Sequence, residues 1–242
     1  MVYKKNYLIY NLSTEIILNK NDETSKIYPA SLTKLMLLYI IFDNLQNKKI
    51  NLKQVIVCNK NYNMLNNLNG YSKLNIKKNE KITIEQAILS QIIISACDVS
   101  ILLAEFIEGT EIKFVKLMNL YSKKLNMVNT NFENCFGKYH LNHYSTCNDL
   151  LKLSTSLITN FNEYYYLFKK ISFDYNNKKF NTTNTNTVKH NLFCEGLKTG
   201  YTKESGYNLI TTARINNNLI IGILIGCNSK NESMDYMIKL LL

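Results

Sequence analysis

Tryptophan is missing from the 242 residues, proline occurs once, and there are only eight glycines. So few chain breakers exclude a collagen-like repeat, a proline-rich recognition segment and a glycine-rich linker. Disorder is excluded as well, because 46% hydrophobic residues supply ample material for a core. The length suits one large domain or two intimately packed subdomains.

Long apolar runs are also lacking. The longest, Leu35 to Phe42 and Leu219 to Cys227, are too short to span a bilayer. Met1 leads through Lys4, Lys5 and Asn6 into a strand-like pattern, without the apolar region or small-residue cleavage site of a signal peptide. No C-x-x-C pair occurs among Cys58, Cys97, Cys135, Cys147, Cys194 and Cys227, so neither a zinc site nor a redox dithiol is indicated, and mostly free thiols are expected. His140, His143 and His190 read as solvated or hydrogen-bonded loop residues. Neither a metal nor another cofactor is expected.

Positive charge is plentiful, with a formal net charge of +11. Its lysines are spread along the chain, with no dense basic run and no RNA-binding signature, so nucleic acid is set aside as a partner. The abundance of Asn, Lys, Ile and Tyr resembles the codon bias of an AT-rich genome, which accounts for much of the charge.

Against this background one short stretch stands out. Tyr28-Pro29-Ala30-Ser31-Leu32-Thr33-Lys34-Leu35-Met36 contains the chain's one proline and its one Ser-x-x-Lys pattern. If a helix begins near Ser31, residues three apart share a face about 4.5 Å apart along the axis, so the Lys34 amine reaches the Ser31 hydroxyl. A serine hydroxyl needs a neighbouring base, and a lysine serves as that base when burial or a nearby cation lowers its pKa. The apolar run from Leu35 to Phe42 would bury the amine.

In chain order, Tyr7 to Asn11 and Glu15 to Lys20 read as a hairpin, followed by a helix from Ser31 to about Gln46. Asn51 to Gly70 is polar and irregular apart from a short strand at Val55 to Cys58, and Lys73 to Lys81 is a charged connector. The capping box Thr83-Ile84-Glu85-Gln86 opens a helix to about Ile94, Ser95-Ala96-Cys97-Asp98 interrupts it, and Val99 to Ile107 resumes helical spacing. Glu111 to Leu125 is a further helix, with apolar positions Ile112, Val115, Leu117 and Met118.

Asn129 to His143 is a loop, and Thr146 caps a helix to about Ile158. Phe161 to Lys170 is ambiguous, Ile171 to Tyr175 and Lys179 to Thr182 pair as strands, and Asn181 to Thr187 is an ordered loop. Three strands follow, Gly196 to Tyr201, Tyr207 to Arg214 and Leu219 to Cys227, with a tight turn at Asn216-Asn217 and a closing helix over residues 228–242.

The predicted fold class is α+β. Strands from both termini form an antiparallel sheet covered by the first and last helices, with a mainly helical subdomain inserted. The chain then reads as a single domain over residues 1–242, with the sheet part at about 1–50 and 171–242 and the helical insertion at about 51–170. A cleft between these parts is the default place for chemistry.

Near the C-terminus, Gly196-Leu197-Lys198-Thr199-Gly200-Tyr201-Thr202 puts a cation, a hydroxyl and a small residue on one strand. Lys198 and Gly200 share one face and Thr199 takes the other. A glycine there lets a substrate backbone lie close to the strand. A second lysine near Lys34 favours the neutral form of one amine, since like charges oppose each other's ionisation.

Ser31-x-x-Lys34, Ser95-x-Cys97 and Lys198-Thr199-Gly200, in that order, resemble the three motifs of the serine penicillin-recognising enzymes. With Pro29-Ala30 ahead of Ser31, the segment His143-Tyr144-Ser145-Thr146 with Asp149, and Tyr201-Thr202 after Gly200, nearly the whole chain is similar to the low-molecular-mass D-alanyl-D-alanine carboxypeptidases. The resemblance implies a β-lactamase/transpeptidase-like fold and attack by Ser31 on the bond between two terminal D-alanines of a peptidoglycan stem peptide.

It further implies Lys34 as general base and Ser95 as the hydroxyl that passes a proton to the leaving amine. Lys198 and Thr199 would hold the terminal carboxylate, and the backbone N–H groups of Ser31 and Tyr201 would form the oxyanion hole. β-Lactams would acylate Ser31, and the work would be done in the cell envelope or periplasm. The β domain and membrane anchor of many members are expected to be absent.

One residue departs from the pattern. Cys97 stands where the family has the asparagine of Ser-x-Asn, and a thiol is a weak donor and acceptor beside an amide. Three readings on this fold therefore stand open: an active D,D-carboxypeptidase, a relative that binds stem peptides or β-lactams with little turnover, and a β-lactamase-like acyl-hydrolase. The last usually needs a dedicated deacylating base, and no Glu-x-x-Asn-like segment supplies one: Glu133-Asn134, the nearest acidic candidate, sits in the wrong kind of context.

Overall fold

A computed structural model describes residues 3–62, 68–183 and 194–242. In chain order, strands β1 (Asn6–Asn11) and β2 (Ile16–Asn21) precede a short 3-10 turn at Ala30–Thr33, which runs directly into α1 (Lys34–Gln46). Two short strands, β3 (Val55–Val57) and β4 (Lys81–Thr83), lead into α2 (Ile84–Ile93), α3 (Cys97–Glu108), α4 (Glu111–Lys124) and α5 (Cys147–Asn160). A 3-10 segment (Asn162–Lys169) and the hairpin β5 (Ser172–Tyr175) and β6 (Lys178–Asn181) return the chain to β7 (Cys194–Thr202), β8 (Gly206–Ile215), β9 (Asn218–Cys227) and α6 (Lys230–Leu241).

The main sheet has the order β2-β1-β9-β8-β7, antiparallel throughout. Both termini thus build one sheet, as the terminal strand patterns imply. β9 is buried on both faces, so its sequence reads as a continuous apolar run. Ile221, Ile223 and Ile225 face the main core, whereas Ile220 and Leu224 join Leu209 and Met237 on the opposite face under α6. Gly222 fits that second face because a Cβ there would collide with Met237.

The inner face of the sheet is covered by α5 rather than by α1. α1 lies deeper, among α3, α4 and α5, and its residues from Lys34 to Phe42 are all buried. A helix enclosed on every side needs no polar face, which is why the run from Leu35 to Phe42 has none.

Several boundaries differ from the sequence reading. Ser31 sits on the 3-10 turn, one residue triplet before the α-helix proper. Cys97 opens α3, so the interruption is confined to residues 94–96. The charged connector ends in β4, which pairs with β3. In α4 the buried stripe is Phe114, Met118 and Ser122 at i, i+4 spacing, while Ile112 is 74% exposed. The turn at Asn216 and Asn217 has φ of 48° and 63°, the left-handed geometry that a two-residue hairpin requires. Within the Asn/Thr loop, residues 184–187 lie outside the described residues, as does His190.

Candidate active site

The 3-10 turn seats Ser31 at the junction of sheet and helices. Pro29 precedes it, and the Tyr28 carbonyl accepts a hydrogen bond from Asn208 Nδ2 at 2.9 Å. Asn208 Oδ1 in turn accepts from Gly226 N–H at 3.1 Å, so one buried amide ties the turn to two strands. Ala30 adopts φ of 49°, and the tight geometry is enforced by two close backbones. A Cβ at Gly200 would come within 2.8 Å of the Ser31 nitrogen, and one at Gly137 would overlap the Ala30 carbonyl. Strand β7 and the 131–143 loop therefore grip the turn from two sides.

Lys34 is fully buried. Its Nζ lies 3.0 Å from Ser31 Oγ, 2.7 Å from the Phe136 carbonyl oxygen and 3.4 Å from Cys97 Sγ. Ser95, at φ of 58° in the break between α2 and α3, has a buried Oγ with no hydrogen-bond partner among the described residues. That break is itself held: Gln91 Nε2 donates to the Ala96 carbonyl at 3.1 Å, and Cys97 N–H donates to the Ser72 carbonyl at 2.8 Å. Asp98 accepts from the N–H groups of Leu74 and Ile76, fixing the same wall.

On the opposite wall, Lys198 is buried and donates to the Thr199 carbonyl at 3.0 Å. Burial, reinforced by the Lys34 charge, pushes its amine down to about 7. Tyr201 is half exposed and stacks on Tyr207 at a ring separation of 4.3 Å. Between the walls lies a cleft of about 260 Å³ lined by Ser31, Ser95, Cys97, Thr199, Gly200 and Tyr201, with Tyr71, Ser72 and Asn208 beside them. Lys34 and Lys198 lie beneath its surface.

The fold thus brings together all eight residues singled out from the sequence. All six cysteines are free thiols, and no cluster that could hold a metal occurs among the described residues. No helix among them is long and apolar enough to cross a membrane. Four further contributors escaped the sequence reading: the Phe136 carbonyl, Asn208, Tyr71 and the Thr33–His143 pair. A backbone carbonyl leaves no sequence signature, but an asparagine within a strand, where that residue type is depleted, is itself a signal.

The segment from His143 to Asp149 has a traceable function in this geometry. Asp149 Oδ2 accepts from Asn129 N–H at 2.8 Å and Thr130 Oγ1 at 2.9 Å, while Thr146 caps α5. Ser145 pairs with Ile27 just ahead of the turn. These contacts anchor the loop that carries Phe136.

An antiparallel sheet sharing a serine–lysine turn with a helical bundle defines the α+β fold of the penicillin-binding and transpeptidase enzymes. Penicillin-binding protein 6B of Escherichia coli has that fold, with a TM-score of 0.92 at 26% identity over 100% of this chain and 77% of that one. The chain belongs to the D-alanyl-D-alanine carboxypeptidase family, whose profile matches residues 2–229. It is 29% identical to D-alanyl-D-alanine carboxypeptidase DacC of Escherichia coli over 237 residues, covering 97% of this chain and 59% of the relative. It is 31% identical to DacF of Bacillus subtilis over 244 residues, covering 98% and 61%. The chain therefore spans about three-fifths of the length of these relatives.

Proposed function

We propose that the chain is a serine-type D,D-carboxypeptidase acting on peptidoglycan stem peptides that end in D-Ala-D-Ala. The observation that carries this reading is the buried Lys34 amine 3.0 Å from the Ser31 hydroxyl, at the floor of an open cleft. Ser31 Oγ gives its proton to Lys34 and attacks the penultimate carbonyl carbon. The oxyanion is received by the N–H groups of Ser31 and Tyr201, and the close approach of Gly200 to the Ser31 nitrogen supports that pairing. When the C–N bond breaks, the leaving D-alanine takes a proton through Ser95, whose hydroxyl has no partner among the described residues. Water then cleaves the acyl ester and restores Ser31.

Lys198 and Thr199 hold the substrate's terminal carboxylate, with Gly200 and Tyr201 along the same strand edge and Cys97 on the facing wall. β-Lactams enter the same cleft and acylate Ser31. The cell envelope, where peptidoglycan lies, is the proposed place of action. Residues 1–242 act as a single catalytic domain on this reading, with the cleft at the junction of its sheet and helical parts.

Intact-protein mass spectrometry after incubation with penicillin tests the assignment, run beside D-alanine release from a peptide ending in D-Ala-D-Ala. A covalent adduct that vanishes in Ser31→Ala, together with D-alanine release, supports the carboxypeptidase. An adduct without release supports a binder of low turnover. Folded protein that never forms an adduct overturns the nucleophile.

A further inference from the structure

We propose that His143 is a positioning residue that sets the distance between Ser31–Lys34 and the carbonyl group holding the Lys34 amine. Its imidazole is buried and hydrogen-bonded at both ends. Nε2 lies 2.8 Å from Thr33 Oγ1, on the residue immediately before Lys34. Nδ1 lies 3.2 Å from the Glu133 nitrogen and 3.3 Å from Asn134 Nδ2.

The donors fix the tautomer. Glu133 N–H and the Asn134 amide both donate to Nδ1, so Nδ1 carries the lone pair and the ring proton sits on Nε2, facing Thr33. Only the neutral ring satisfies both ends, and burial, aided by the neighbouring His140 charge, pushes its pKa down to about 4. Phe132 packs edge-on against the ring at 5.6 Å and restricts its rotation.

The far end of this strut reaches the catalytic lysine through a second relay. Asn134 Oδ1 accepts from the N–H groups of Phe136, Gly137 and Lys138 at 3.3, 2.7 and 2.8 Å, which curls the loop so that the Phe136 carbonyl points at Lys34 Nζ. The imidazole is therefore fastened both to the backbone that bears Lys34 and to the loop that holds its amine. Removing it leaves the two attachments free to drift, and small errors in reacting geometry are costly in rate.

This inference rests on the Ser31–Lys34 reading, and a kinetic double-mutant cycle separates the two. Acylation by a fluorescent penicillin is followed by stopped flow in wild type, Thr33→Val, His143→Phe and the double variant, with urea unfolding of each. Wild type that is never acylated defeats the Ser31 reading itself. Given wild-type acylation, the expected result is about a tenfold slower acylation step in each single variant. Affinity for the preceding complex stays within about twofold, and the double variant is no slower than the worse single.

His143→Gln, which returns an amide donor toward Thr33, recovers part of the rate. Folded single variants with unchanged acylation, or a double variant whose loss is the product of the two singles, overturn the proposal. If His143→Phe does not fold, Thr33→Val, which keeps the side-chain shape, carries the test: an unchanged acylation step in it overturns the strut.

Discussion

Lys34 Nζ lies 2.7 Å from the Phe136 carbonyl oxygen and 3.0 Å from Ser31 Oγ, so one buried amine joins the Ser31 hydroxyl to a loop more than a hundred residues away in sequence. On the proposed function, the position of that loop is a catalytic variable.

Gly137 tests it directly. At φ of 90° and with no room for a Cβ against the Ala30 carbonyl, Gly137→Ala forces the loop off the turn. Urea denaturation should register a loss of about 2–4 kcal/mol from strain and overpacking. D-Alanine release should fall more than tenfold. A variant with wild-type stability and rate would show that the grip is dispensable.

Cys97 occupies the wall opposite Thr199, where an amide would supply both a donor and an acceptor. Cys97→Asn is expected to raise kcat/KM for a D-Ala-D-Ala peptide about tenfold, within the roughly 1–3 kcal/mol that a restored contact to a buried polar group is worth. A fall in kcat/KM would mean that the thiol is tuned to this cleft.

The pH profile follows from Lys198. Its amine is pushed down to about 7, so it is a cation below that pH and neutral above it. An anionic substrate terminus needs the cation, and kcat/KM reports the free enzyme. That value includes repulsion from a charged Lys34, whereas the proposed base is neutral, so the kcat/KM profile should have an alkaline limb at or above pH 7, and Lys198→Arg should move that limb upward. A profile that stays flat through pH 9 would contradict the assignment of Lys198 to the carboxylate.

His143 governs stability in acid. Its pKa is about 4 when folded against about 6.5 when unfolded, so between these values the unfolded chain binds the extra proton. The contribution is complete above pH 6.5 and is lost as the pH falls toward 4, by roughly 3 kcal/mol in total. Denaturant midpoints taken across this window should decline in wild type and decline less in His143→Gln. Equal slopes would place the acid sensitivity elsewhere.

The terminal strands, the capping box at Thr83, the N-cap at Thr146, the Asn216-Asn217 turn and the buried first helix were legible because each rests on local rules. Periodicity, side-chain caps and left-handed turns act within a few residues. The positions of Ser31, Lys34, Ser95 and Lys198 were legible for another reason, since three ordered motifs carry a family resemblance. The exposure of Ile112 and the start of α3 at Cys97 were not, because a neighbour's shape decides which face of a helix is buried and where a break ends.

What the sequence alone determined is the inventory: a serine and a lysine three residues apart, a cation on a late strand, an α+β order of elements, and a cysteine where the family pattern has an amide. Tertiary structure decided which groups meet. It placed α5 rather than α1 on the sheet, brought the Phe136 carbonyl to Lys34, and set His143 between Thr33 and Asn134. The Phe136–Lys34 and Thr33–His143 contacts join residues about a hundred positions apart through a backbone carbonyl and a ring nitrogen. Local pattern leaves such pairings open, and only the closing of the chain around a shared core fixes them.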